Sequence, residues 1–121
     1  MSSPVDHSIS ARREMSRRAR DAFPPMGVYI ILDKETGQVR VASSRNVHGA
    51  INRTKFELRL RSHSNKALQA AWDQGGPERF HFEIVALLKE EDDPEYDYGA
   101  ELRALEQLYR EEFEQQSGVA R

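Results

Sequence analysis

MGVYIILDKETGQVRVASSRN, residues 26–46, reads as a β-hairpin with an odd interior. Apolar residues run from Val28 through Leu32, a polar turn follows at Lys34 to Gly37, and a second run resumes at Val39. The β-branched content favours strands over helix. Gly37 supplies the positive φ that a short turn often demands. Strands are expected over residues 27–33 and 38–43. Arg40, a long cation between Val39 and Val41, has two readings. It is a solvated side chain on the outer face of a strand, or a substitution at a place where chemistry would otherwise sit.

Upstream, Ser8 or Ser10 can cap a short helix with Ile9, Met15, Ala19 and Phe23 near one face and five arginines (Arg12, Arg13, Arg17, Arg18, Arg20) around the rest. Pro24 and Pro25 stop it, so the domain proper begins at Met26. Downstream, Ser44 or Asn46 can cap a helix through about Arg61, whose Val47, Ala50, Ile51, Thr54 and Leu58 follow helical spacing. Ser64 is the expected cap of a second helix, with Leu68, Ala71 and Trp72 inward, ended by Gly75, Gly76 and Pro77. Phe80, Phe82 and Ile84 alternate with Arg79, His81 and Glu83 as a third strand buried on one face. Residues 90–97 are too charged to pack and read as an exposed loop. Tyr98, Leu102, Leu105, Tyr109 and Phe113 line a last helix to about Gln115.

The result is a small α/β domain with a three-stranded sheet over residues 26–115. An N-terminal tail and Arg-rich helix precede it (residues 1–25), and a frayed tail follows (residues 116–121). One core suits this length, since single cores usually serve roughly 100–150 residues. The absence of cysteine excludes disulfides, thiolate nucleophiles and cysteine-ligated zinc. No apolar run approaches the roughly 20 residues of a membrane span and the amino terminus lacks the apolar core of a secretory signal, so a cytoplasmic location is expected.

The net charge of -2 hides two opposite fields. From Arg40 to Lys66 the bases Arg40, Arg45, Arg53, Lys55, Arg59, Arg61 and Lys66 face one acid, Glu57. From Lys89 onward, eleven acids face four bases. A basic middle suits a polyanion and an acidic tail suits a partner or solvent. Both also suit ordinary solvated helix faces.

The chain resembles the GIY-YIG nuclease superfamily, and more closely its small stand-alone bacterial members. The resemblance covers residues 24–113. It is carried by PPMGVY (24–29), VRVASSRN (39–46), SHSNKALQAAW (62–72), FHFEIV (80–85) and LRALEQLY (102–109), in order, spacing and element type. It implies a mainly antiparallel sheet flanked by helices and hydrolysis of a phosphodiester with one divalent metal, Mg²⁺ or Mn²⁺. A hard cation prefers oxygen ligands, and charge developing on phosphate oxygens is best met by a preorganised cation.

On that pattern Tyr29 is the first-strand tyrosine, Glu106 the metal-binding glutamate, His63 the histidine of the polar link, and Asn46 the residue opening the first helix. Arg40 stands at the tyrosine of the second motif, Ala42 at its glycine, Ala50 at the phosphate-binding arginine and Thr54 at a histidine one turn later. The implied site is thus degenerate. Removing one such stabiliser can cost about a hundredfold in rate, so losing several approaches silence. Arg53, three residues after Ala50, shares a helix face with it and is the candidate replacement. The plainer readings are that Tyr29 is a packed strand aromatic, Glu106 a solvated acid, and His63 a loop hydrogen-bonding residue.

Three function classes follow. One is a nucleic-acid-binding module, DNA foremost, with weak or lost phosphodiesterase activity and phosphate contacts from Arg45, Lys55, Arg59, Arg61 and Lys66 beside Arg40 and Arg53. Another is an active Mg²⁺-dependent endonuclease in which Arg40 or Arg53 replaces the lost arginine. The last is an interaction module using the acidic C-terminal helix toward a protein partner or a second copy. If the chain is inactive, no cofactor is expected. No base-reading appendage such as a zinc finger is recognisable.

Overall fold

A computed structural model describes residues 23–120, so the Arg-rich N-terminal helix expected from the sequence lies outside the described residues. Strands β1 (Gly27–Asp33) and β2 (Val39–Ser44) form the hairpin. They are followed by helices α1 (Val47–Arg59) and α2 (Lys66–Gly75), a 3-10 turn (Pro77–Arg79), strand β3 (Phe80–Leu87) and helix α3 (Tyr98–Ala120). The sheet order is β2-β1-β3, antiparallel throughout. Among the described residues no helix is long and apolar enough to cross a membrane.

β1 is central because it is apolar on both faces, and all of it except Leu32 is buried. Its alternate residues face opposite sides of the sheet. Tyr29 and Ile31 join Val47 and Leu58 of α1, Leu68 and Trp72 of α2, and Phe80 in the main core. Val28 and Ile30 face the other side, which α3 crosses. There Met26, Leu88 and Leu102 form a smaller cluster with Phe23, Tyr98 and Leu105. Phe23 packs its ring 5.2 Å from that of Tyr98, and the Val47 amide donates to the Pro25 carbonyl at 2.9 Å. The domain's contacts therefore start before Met26.

The caps resolve the sequence's alternatives. Asn46 caps α1 by accepting from the Gly49 amide at 3.1 Å, while the Ser44 hydroxyl accepts from the Asn46 amide. Asn65, rather than Ser64, caps α2 through the Leu68 amide at 3.0 Å. Both are well suited to satisfying an orphan first-turn N–H. The second strand sits one residue later than expected, over 39–44, because the turn extends to Gln38, whose carbonyl accepts from the Asp33 amide. α3 stays helical past Gln115 to Ala120.

Arg79 departs most from expectation. It belongs to the 3-10 turn rather than to the exposed face of β3. Its guanidinium reaches back to Asp33 at the end of β1, with both side chains 9% exposed. Strand alternation describes only residues already in the ladder, and Arg79 ends the turn one residue before β3 begins.

Candidate functional site

The Tyr29 ring lies on the α1 side of the sheet. In an antiparallel pair, directly opposed residues share a face, and the partner of Tyr29 on β2 is Ala42. Beside Tyr29 the surface opens into a depression of about 420 Å³ lined by Tyr29, Ser44, Asn46, Gly49, Ala50, Arg53 and Thr54. The small residues Gly49 and Ala50 in its lining leave that space open. Arg53 stands at its rim, with a side chain 80% exposed and 3.6 Å from Glu57; such an exposed pair is weak enough to exchange for another anion. No carboxylate lines the depression.

Burial pushes the Tyr29 phenol up from its ordinary pKa; the nearby Thr54 hydroxyl offsets part of this and the charge of Glu106 adds to it. The phenol therefore stays protonated at neutral pH, able to donate a hydrogen bond and unable to act as a ready base.

Glu106 lies one turn beyond Leu102 on α3, and its side chain is 25% exposed. Both its oxygens are engaged. Oε1 accepts from the Ser43 hydroxyl at 2.6 Å. Oε2 accepts from Nη2 of Arg110, the residue one turn on, at 2.5 Å. The same Nη2 donates to the Val41 carbonyl at 3.2 Å. These bonds fasten α3 to the edge strand β2.

A structure of the catalytic domain of the homing endonuclease I-TevI superimposes on this chain with a TM-score of 0.60, covering 74% of this chain and 88% of that one at 21% identity. The chain has the GIY-YIG nuclease fold. A second structure of the I-TevI domain, a point mutant, matches at TM-score 0.49 and 25% identity over 57% of this chain and 70% of that one. No protein-family model matches the chain, and no curated protein matches it.

On this GIY-YIG fold the residues singled out in the sequence fall into separate places. Tyr29 and Arg53 share the depression. Arg40 pairs with Ile31, so it shares the Tyr29 face two residues further along β2 from Ala42, about 7 Å in strand rise. Glu106 meets Ser43, whose side chain faces opposite to those of Ala42 and Ser44. His63 lies beyond the far end of α1, a helix of 13 residues and so about 20 Å long. There its Nδ1 accepts from the Asn65 amide at 3.0 Å, and its own amide donates to Gln69.

The basic residues do not form one stripe. Lys55 holds its ammonium 5.0 Å from the Phe82 ring centre. With Arg59 it borders a second hollow of about 330 Å³, on the flank of α1 opposite Arg53. Arg61 takes a left-handed φ of 59° and sits 3.9 Å from Asp73. Lys66 is exposed at the start of α2. Arg45 reaches toward the start of α3, near Gly99.

Sequence reasoning passed over Arg110 and Ser43. The first had a signal, because residues four apart on a helix are neighbours and a Glu followed by Arg is the favourable order. Ser43 had none until β2 and α3 were placed together. Glu106 is thereby a poor fit to a divalent cation. Each of its oxygens already accepts a hydrogen bond, one of them from the Arg110 guanidinium. Among the described residues no group of three or more His, Cys, Asp or Glu is placed to hold a metal.

Proposed function

We propose that the chain is a nucleic-acid-binding domain, acting on DNA foremost, in which the GIY-YIG fold keeps a hold on phosphate and phosphodiester hydrolysis is weak or lost. The observation that carries this reading is the lining of the Tyr29 depression: an exposed cation, Arg53, at the rim, and no carboxylate within. Such a surface favours an anion. Without a general base or a free metal ligand it offers little to activate water. Arg40 adds a further cation on the Tyr29 face of β2. The endonuclease neighbour supports nucleic acid as the ligand class.

Supercoiled plasmid incubated with Mg²⁺ or Mn²⁺, beside a Glu106→Ala variant, tests the reading. Parent and variant are expected to leave the plasmid intact and to retard DNA on a gel at low salt. Nicking by the parent alone would replace this reading with an active endonuclease. That second reading has one observation in its favour, since Arg53 lines the depression that holds Tyr29 and can there serve for the arginine missing at Ala50. In that case Arg53→Ala would abolish the nicking.

A further inference from the structure

We propose that Arg110 takes the place of a divalent cation on Glu106, a reading that rests on the nucleic-acid function above and gives its site a built-in, permanent counter-charge. Three bonds carry it. The carboxylate accepts from Ser43 at 2.6 Å and from Arg110 at 2.5 Å, and Arg110 is held from behind by the Val41 carbonyl at 3.2 Å. A cation approaching Oε2 would have to displace a guanidinium tethered at two points, and would meet its charge if it did not. Ser43 is a neutral oxygen and adds no charge to compensate. A lone carboxylate is already a minimal site for Mg²⁺, which usually relies on one or two carboxylates with water and phosphate completing the shell.

The arrangement also gives Arg110 something to do. A guanidinium has five N–H donors in a fixed fork, and the bonds to Glu106 and Val41 both use Nη2. The rest of the fork remains for a phosphate oxygen, and the side chain is 44% exposed. β2 is an edge strand, with Ser43 on the Glu106 side and Ser44 lining the Tyr29 depression. A phosphate chain passing over that edge would meet Arg110 and Arg53 in turn, with no metal between them.

The test follows Mn²⁺ binding by paramagnetic broadening of amide signals in the isotope-labelled protein, with DNA binding measured in parallel in EDTA and in Mg²⁺ at constant ionic strength. In the parent, signals around Ser43, Glu106 and Arg110 are expected to stay sharp. In Arg110→Met they are expected to broaden, with Mn²⁺ affinity higher by about tenfold or more, and adding Glu106→Gln should cancel the gain. Should Arg110→Met not fold, Arg110→Gln reads the same quantity. Parent DNA affinity is expected to be no higher in Mg²⁺ than in EDTA. Broadening at Glu106 in the parent, or none in the Arg110 variants, overturns the assignment. If the Mn²⁺ pattern holds and no DNA binds at any salt, the nucleic-acid reading fails and the assignment of Arg110 stands.

Discussion

Arg79 grips Asp33 fork to fork, with Nε on Oδ1 and Nη2 on Oδ2, each at 2.8 Å, across 46 residues of chain. The same carboxylate accepts from the Glu35 and Thr36 amides. One buried group thus shapes the hairpin turn and ties it to the entrance of β3. Arg79 also lies over the Phe80 ring at 5.7 Å and reaches Glu35 at 3.4 Å. Removing one member of such a pair leaves an uncompensated charge, whereas removing both is much milder. Arg79→Met is therefore expected to destabilise the fold clearly. Adding Asp33→Asn, which keeps an oxygen for the two amides, should recover part of the loss. Denaturant midpoints of the two single variants and the double variant check this; a double variant that is worse than Arg79→Met would contradict it.

The same pair sets a pH dependence. The Arg79 guanidinium, against an opposing desolvation effect, holds the Asp33 carboxyl far below the usual carboxylate range. A group whose folded pKa is depressed stabilises fully above its unfolded value, about 3.9, and loses that contribution as pH falls further. Stability should therefore start to decline below about pH 4. Asp33→Asn should flatten the decline relative to the parent in thermal melts between pH 5 and 2.

Much of this architecture is legible in residue order, because it rests on local periodicities. The apolar run through Val28 and Leu32, the stripe from Val47 to Leu58 and the alternation at Phe80, Phe82 and Ile84 each report their own element. What stays hidden needs two elements at once. Arg79 looks like a strand residue until β1 is beside it. Gln69 looks like a solvent-facing helix residue, yet it is buried and binds the Leu58 carbonyl, Asp73 and the His63 amide. The Tyr29 depression could be named by several of its residues but not by its emptiness, which depends on Gly49 and Ala50 being small where α1 passes beside Tyr29.

Gly27 opens β1 where the strand is paired on both sides. A Cβ added there would overlap the Ala86 carbonyl oxygen and crowd Leu87. Next to it the β1–β3 register shifts between Val28 and Tyr29, so the backbone has little freedom to move away. Gly27→Ala is expected to cost about 1–3 kcal/mol, the usual range for overpacking a close contact. The loss should appear as faster amide exchange along β3 as well as a lower denaturation midpoint. Unchanged exchange in β3 would mean that the close approach is not what the glycine serves.

Arg53 and Arg61 offer a paired test of where nucleic acid lies. Both side chains are about 80% exposed, and each has an acidic neighbour, Glu57 at 3.6 Å or Asp73 at 3.9 Å. They differ in place: Arg53 borders the Tyr29 depression, whereas Arg61 lies past the end of α1, in the link to α2. If phosphate enters the depression, Arg53→Ala should weaken DNA binding at every salt concentration and reduce the slope of log affinity against log salt by about 1. Arg61→Ala should then leave the slope near that of the parent. Equal losses at the two positions would point to a diffuse positive field, and a slope altered only by Arg61→Ala would move the contact to the opposite end of α1.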